Sequence, residues 1–439
     1  MATKKANLFN RLQKHFSSDP ARLPVVLEDI DVYERPNLHV AIAELLEVSR
    51  DPSELVGIVD FDYEVSLARL SRESSANEFD EGPVEFSDVP LADGEKLACV
   101  KEGLYFFRNG GQPVALLVTS RRHSYPAKIG VEVMTPAREL SEKILRKLLS
   151  LTRRCNAYRG HVLSLERDCY GGIVVRFHSL PRISRDEIVL PESVLRRIER
   201  HTTDFSRHVH RLRQASRHIK RGILLHGLPG TGKTLSAMYL VSQMRQRTVL
   251  LMTGAGMGSI ETACNLARML EPSTVVLEDV DLIGTRREHQ AVDANALLFE
   301  LLNQMDGLAD DADILFVLTT NRPDILEPAL SARPGRIDQA IEIPLPDAQC
   351  RRRLLDLYGR GLKIEVADRE GLIDRTAGAS AAFIRELIRK AAVFAAEETD
   401  EGAIVVRSGH FEEALAELVV AGGYLTKSLL GMKAGQATD

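Results

Sequence analysis

At 439 residues the chain is long enough for two or three domains, each with its own core. With 44% hydrophobic and 27% charged residues it has the ordinary balance of a soluble globular protein. A net charge of −5 builds in no bulk attraction to nucleic acid or an anionic membrane.

Five scattered cysteines without a C-x-x-C spacing argue for reduced thiols and against a zinc site or disulfide framework. The opening "MATKKANLFNRLQKHFSSDP" has no apolar core of the signal-peptide kind. No stretch approaches the ~18 apolar residues of a membrane span. These features lead us to expect a soluble, cytoplasmic protein.

Residues 1–96 read as a helical N-terminal segment with an acidic linker. "LHVAIAELLEV" has apolar residues at helical spacing, and residues 71–96 are acidic with Gly and Pro, as in a loop or mobile linker. Residues 97–182 read as an α+β domain. "LYFFRNGGQPVALLVTS" predicts two strands around a Gly-Gly turn, and "ARELSEKILRKLLSLTRR" an amphipathic helix.

From 183 to 346 short apolar runs with polar ends ("GILLHG", "TVLLMTG", "TVVLED", "ILFVLTTN") alternate with helices, the pattern of a parallel α/β sheet buried on both faces. Residues 347–422 read as a small helical domain, and 423–439 as a frayed tail.

"GLPGTGKT", residues 227–234, is a G-x-x-x-x-G-K-T motif placed after a strand and before a helix. Gly227, Gly230 and Gly232 allow a tight loop, running through Leu228, Pro229 and Thr231, whose N–H groups point at a polyphosphate. Lys233 would reach the β- and γ-phosphates of ATP, and the Thr234 hydroxyl would ligate Mg²⁺. Leu235 continues into a helix whose N-terminus favours anions.

Five stretches together resemble an AAA-type ATPase over residues 186–420: this loop, "STVVLEDVDLIG", "LLNQMDGL", "LTTNRPDILEPALSARPGRID" and "GASAAFIRELIRKAA". The resemblance implies a P-loop NTPase sheet followed by a helical lid. It places Glu278 where the family has the acid that holds Mg²⁺, through water. Asp279 falls where the family has the acid that orients the attacking water, so the usual Asp-Glu order is inverted.

The resemblance also makes Asn321 the residue that senses the γ-phosphate. It makes Arg333 and Arg336 arginine fingers acting in trans, and therefore implies a homo-oligomeric ring, most plainly a hexamer. "PALSARPGR" has one residue more than the usual spacing, which bears on the reach of Arg333. Ile188, in "DEIV", and Ala381, where the family has glycine, fall at the adenine pocket.

Many family rings thread polypeptide with an aromatic pore loop. Here "TGAGMGSIETACNLARMLEPS" has no aromatic, and Met257 is the one candidate paddle. A similar inverted Glu-Asp pair marks the mitochondrial AAA translocase that moves a folded Rieske iron–sulfur protein, and its bacterial chaperone-like relatives. The reading is an ATP-driven remodeller or chaperone of protein clients, the client itself being unknown.

The alternative is a nucleic-acid-dependent ATPase, suggested by basic "RHVHRLRQASRHIKRG". That segment lacks a stacking aromatic and reads as a solvated helix face or subunit contact, which makes nucleic acid the less favoured partner. An ATP-dependent metalloprotease is disfavoured. There is no H-E-x-x-H, "RREHQ" offers no second histidine, and no protease-sized segment follows the lid.

Overall fold

In the computed structural model, residues 7–49, 51–59, 65–75, 78–121, 127–154, 156–167, 172–244, 246–253, 259–281, 294–307, 309, 311–324, 336–398 and 402–418 are described. They fall into two compact units, Met1–Ser179 and Leu180–Asp439. Among them no helix is long and apolar enough to cross a membrane.

The first unit runs α1 (Leu8–Phe16), β1 (Val25–Asp31), α2 (Arg35–Ser49), β2 (Glu54–Val59), a single turn α3 (Leu67–Leu70), β3 (Asp80–Gly82), β4 (Glu85–Pro90), β5 (Lys96–Asn109), β6 (Gln112–Arg121), β7 (Lys128–Met134), α4 (Arg138–Arg154), β8 (Val162–Arg167) and β9 (Ile173–His178). Strands β1 to β7 make one antiparallel sheet in the order β1-β7-β6-β5-β2-β3, with β4 also on β5. β8 and β9 pair as an antiparallel hairpin.

Side chains alternate across the pleat. Phe107 and Leu116 therefore meet α2 and α4 on one face, while Phe106 and Leu117 meet α1 and α3 on the other. The Gly-Gly turn between β5 and β6 takes positive φ at both residues, 59° and 79°.

This sheet corrects two sequence expectations. Residues 1–96 and 97–182 are not separate modules, because β1 pairs with β7 and β2 pairs with β5. Residues 71–96 are not a plain linker, since β3 and β4 lie within them.

The cause is the same in both cases. β1 is an edge strand with three consecutive exposed residues, and β4 is mostly exposed. Their acids are tolerated in contact with solvent or paired with cations, as Glu85 is with Lys101 at 2.9 Å. Where consecutive residues are exposed, both faces of the strand are wet and no apolar alternation is required.

The second unit begins with α5 (Glu192–Glu199), a π-helical turn (Arg200–Asp204) and α6 (Phe205–Gln214). It continues through β10 (Arg221–His226), α7 (Lys233–Gln243), β11 (Thr248–Met252), α8 (Ile260–Met269), β12 (Ser273–Leu277), α9 (Ala294–Asp306), β13 (Ile314–Thr320) and β14 (Gln339–Glu342). Its five strands are parallel in the order β14-β10-β13-β12-β11.

Every residue of β12 and β13 is buried, which is why both are built on apolar runs, "VVL" and "ILFVL", without polar alternation. β10 lies between β13 and β14, so the chain reverses its direction of winding there. That switch point opens a crevice at the carboxyl ends of the strands.

The rest folds as α10 (Ala348–Tyr358), β15 (Lys363–Glu365), α11 (Arg369–Arg375), α12 (Ala381–Glu397), β16 (Val405–Arg407) and α13 (Ser408–Ala416). It has its own core of Leu354, Phe383, Leu387, Ile388 and Phe411. The sequence pattern here is helical throughout; β15 and β16 are three-residue strands too short to leave a period-2 signal.

Candidate active site

The loop after β10 is shaped by glycines at positive φ: 151° at Gly227, 74° at Gly230 and 104° at Gly232. At Gly230 a side chain would also collide with the lid, since an added Cβ would lie 2.8 Å from Ala382 Cβ and Ser380 Oγ. The Gly230 carbonyl accepts the Ala382 N–H at 3.1 Å, tying the loop to the start of α12. Lys233 is the first residue of α7 and is buried; its ammonium donates to the carbonyls of Gly227 (3.0 Å) and Leu228 (2.9 Å). Burial pushes its pKa down, opposed by the charges of Asp279 and Asp281.

The two acids after β12 are directed differently by the backbone. Glu278 donates its N–H to the Met252 carbonyl at 3.1 Å, continuing the ladder. Its carboxylate accepts from the Thr234 hydroxyl, and Oε1 is buried without a hydrogen-bond partner. Burial, then the neighbouring charge of Asp279, raises the Glu278 pKa against the Thr234 bond.

Asp279 has φ of +48°, in the left-handed region. Asp enters that region more readily than most residues. Its N–H donates to Thr319 Oγ1 at 2.9 Å, and its Oδ1 accepts from Asn321 Nδ2 at 3.2 Å. Asp281 fixes the other side of Asn321, accepting from the Asn321 N–H (3.0 Å) and the Thr320 hydroxyl (2.8 Å). The left-handed turn carries the Asp279 carboxylate to the cleft and leaves Glu278 beside Thr234.

A cleft of about 1160 Å³ joins these groups to the lid. Of the sequence candidates, Pro229, Gly230, Thr231, Gly232, Lys233, Thr234 and Leu235 line it, as do Asp279, Asn321, Ile188 and Ala381. Gly227 and Leu228 take part through their carbonyls, and Glu278 through Thr234.

Arg336 does not reach this cleft. Its guanidinium grips the Asp306 carboxylate through two nitrogens, and Nη1 is buried without a partner. Arg333, Met257, Glu288 and His289 lie outside the described residues, as does the tail 423–439.

Tyr358, Leu362 and Met238 also line the cleft and have no motif of their own. Asp281 is the fourth residue of "EDVD", and its acidity was the one available signal.

Where the fixed Lys, Thr, acid pair and Asn meet, the chain matches known proteins. Residues 223–345 match the family described as "ATPase family associated with various cellular activities (AAA)". Over residues 223–345 the chain is thus similar to AAA-family ATPase domains.

Relatives of this AAA domain include the proteasome-activating nucleotidase of Pyrococcus horikoshii, 33% identical over 190 residues, covering 40% of this chain and 47% of the relative. The 26S proteasome regulatory subunit 10B homolog A of Arabidopsis thaliana is 35% identical over 188 residues, covering 40% and 47%. The ATP-dependent zinc metalloprotease FtsH 2 of Sphaerobacter thermophilus is 34% identical over 209 residues, covering 45% and 32%. The chain thus spans less than half the length of each of these relatives.

The arrangement suits a divalent cation. Thr234 and Glu278 put two hard oxygen donors side by side, and Glu278 Oε1 is otherwise an unpaid buried acceptor. Glu278→Gln is expected to raise the thermal stability of the nucleotide-free protein at neutral pH. The sign follows from the raised pKa: the native state binds the proton more tightly than the unfolded chain, so ionised Glu278 lowers stability as pH rises. A thermal melt across pH checks this; a lower melting temperature for Glu278→Gln at neutral pH would refute it.

Proposed function

We propose that this chain is an Mg²⁺-dependent ATPase that works as a homo-oligomeric ring, most plainly a hexamer, and remodels or chaperones protein clients. The observation that carries the reading is the convergence of Lys233, Thr234, Asp279 and Asn321 on one end of a cleft whose other end is bounded by Ile188 and the lid residue Ala381. The loop amides and Lys233 hold the polyphosphate. Thr234, and Glu278 through water, would hold Mg²⁺, which would neutralise charge on the phosphates. Asp279 orients the attacking water and accepts its proton, with Asn321 holding the carboxylate in place.

Remodelling of proteins is supported by the kinship with proteasome-activating and proteasome regulatory ATPases. The inverted Glu278–Asp279 pair and the aromatic-free "TGAGMGS" favour the branch with the Rieske-protein translocase and its chaperone-like relatives over a threading unfoldase. The basic segment does not favour the nucleic-acid alternative. Arg207 pairs with Asp204 at 3.2 Å, Arg213 donates to the Asp311 carbonyl at 3.1 Å, and Arg221 lies 3.8 Å over the Phe205 ring.

Lys233→Ala is expected to weaken Mg-ATP binding by at least ~100-fold, since it removes a buried charge aimed at the phosphates. Calorimetric titration measures it, and unchanged affinity would exclude this cleft as the nucleotide site.

A further inference from the structure

Behind the cleft, one buried carboxylate is shared between the two elements that flank it. Glu199, the last residue of α5, is 9% exposed. Its Oε1 accepts from Arg185 Nε at 2.8 Å and from the Tyr239 hydroxyl at 2.8 Å; its Oε2 accepts from Arg185 Nη2 at 3.3 Å.

Tyr239 belongs to α7, whose first residues are Lys233 and Thr234. Arg185 opens the 3₁₀ turn Arg185–Glu187, directly before Ile188 and Val189, which line the cleft. The strap 183–190 has a second tie to α7, from Gln243 Nε2 to the Ile183 carbonyl at 3.1 Å.

Glu199 is itself held firmly. The chain leaves it in the π turn Arg200–Asp204, where the Thr202 hydroxyl returns to the Ile198 carbonyl (2.7 Å) and the Thr203 hydroxyl to the Glu199 carbonyl (3.1 Å). π turns inside helices occur frequently at functional sites. The hydrogen bonds of its carboxylate go to the strap and the P-loop helix. An Arg–carboxylate pair with two nitrogens engaged fixes orientation as well as distance.

We infer that Glu199 is a positioning residue for the nucleoside end of the cleft, setting the strap that carries Ile188 against the helix that carries Lys233. This rests on the nucleotide reading of the cleft. Its contribution falls on the base and ribose, because the phosphate-facing loop is fixed by its own glycines and by the Gly230–Ala382 bond.

The test compares Mg-ATP with inorganic triphosphate plus Mg²⁺, which uses the phosphate end alone, on the full chain. Glu199→Ala is expected to weaken ATP binding and raise KM by about tenfold, the loss of one to two charge-assisted bonds. Triphosphate affinity and kcat at saturating ATP should stay within about twofold, since neither the P-loop nor the acid pair is touched. Glu199→Gln keeps an acceptor for Tyr239 and should recover most of the loss.

Arg185→Ala cuts the strap side from a side chain 43% exposed, together with its Nη2 bond to Glu192 at 2.8 Å, so it reports even where the core substitution unfolds the protein. It should shift ATP and spare triphosphate in the same way. Equal weakening of both ligands, or ATP affinity unchanged in Arg185→Ala, would overturn the inference. A wild-type protein that binds neither ligand would instead defeat the nucleotide reading.

Discussion

Asp279→Asn is expected to slow ATP hydrolysis by about 10²–10⁴-fold, the usual worth of a positioned general base, while ATP remains bound. Asn tolerates the left-handed backbone at φ +48° as Asp does, and its carbonyl can still accept from Asn321 Nδ2. The substitution therefore removes the basic oxygen and keeps the geometry. Asp279→Glu should not give a better enzyme, although it keeps a carboxylate there. Glu is less suited to that backbone, and the extra methylene would displace the carboxylate from Asn321. Single-turnover hydrolysis with labelled ATP measures both variants. Turnover in Asp279→Asn close to wild type would end the assignment of Asp279 as the base. On the proposed function, this variant held on ATP would retain protein clients, and what co-purifies with it in cells would name the substrate.

The second large effect concerns Arg336. In the proposed ring, Arg336→Ala should lower turnover by about 10³-fold or more, the scale of an arginine finger, with ATP affinity almost unchanged. Within one chain its guanidinium grips Asp306, away from the cleft, and one nitrogen is buried and unpaired. The backbone around it is fixed, because the Gly222 N–H donates to Asp338 at 2.9 Å and a Cβ on Gly222 would lie 2.2 Å from the Arg336 carbonyl. A mixing experiment separates a trans finger from a role inside the chain. Subunits carrying Arg336→Ala and subunits carrying Asp279→Asn are each inactive, yet together they place an intact arginine beside an intact acid. Recovery of activity on mixing is expected. No recovery in rings shown to contain both subunits would count against a finger supplied in trans.

Edge and surface positions were where sequence reading fell short. β1 and β4 carry acids on exposed positions, so β1 is lost in a stretch that reads as helical and β4 in one that reads as linker, and their pairing with β7 and β5 depends on residues about a hundred and about ten positions away. Tyr358, Leu362 and Met238 reach the cleft from α7, α10 and the turn that follows it, and nothing local marks them. Glu199 reads as one more charge on an amphipathic helix until Arg185 and Tyr239 close on it.

By itself the sequence determined the phosphate loop, the buried parallel strands and the adjacent acids Glu278 and Asp279. Each of these is local: positive-φ glycines, apolar runs buried on both faces and adjacent carboxylates need no distant partner to be recognised. Only the tertiary structure decided how the two acids are directed, with Thr319, Asp281 and Asn321 holding a left-handed Asp279 at the cleft and Thr234 holding Glu278 beneath it. Those contacts join residues about forty positions apart, brought together by the parallel pairing of β12 with β13, and no local pattern encodes such a meeting.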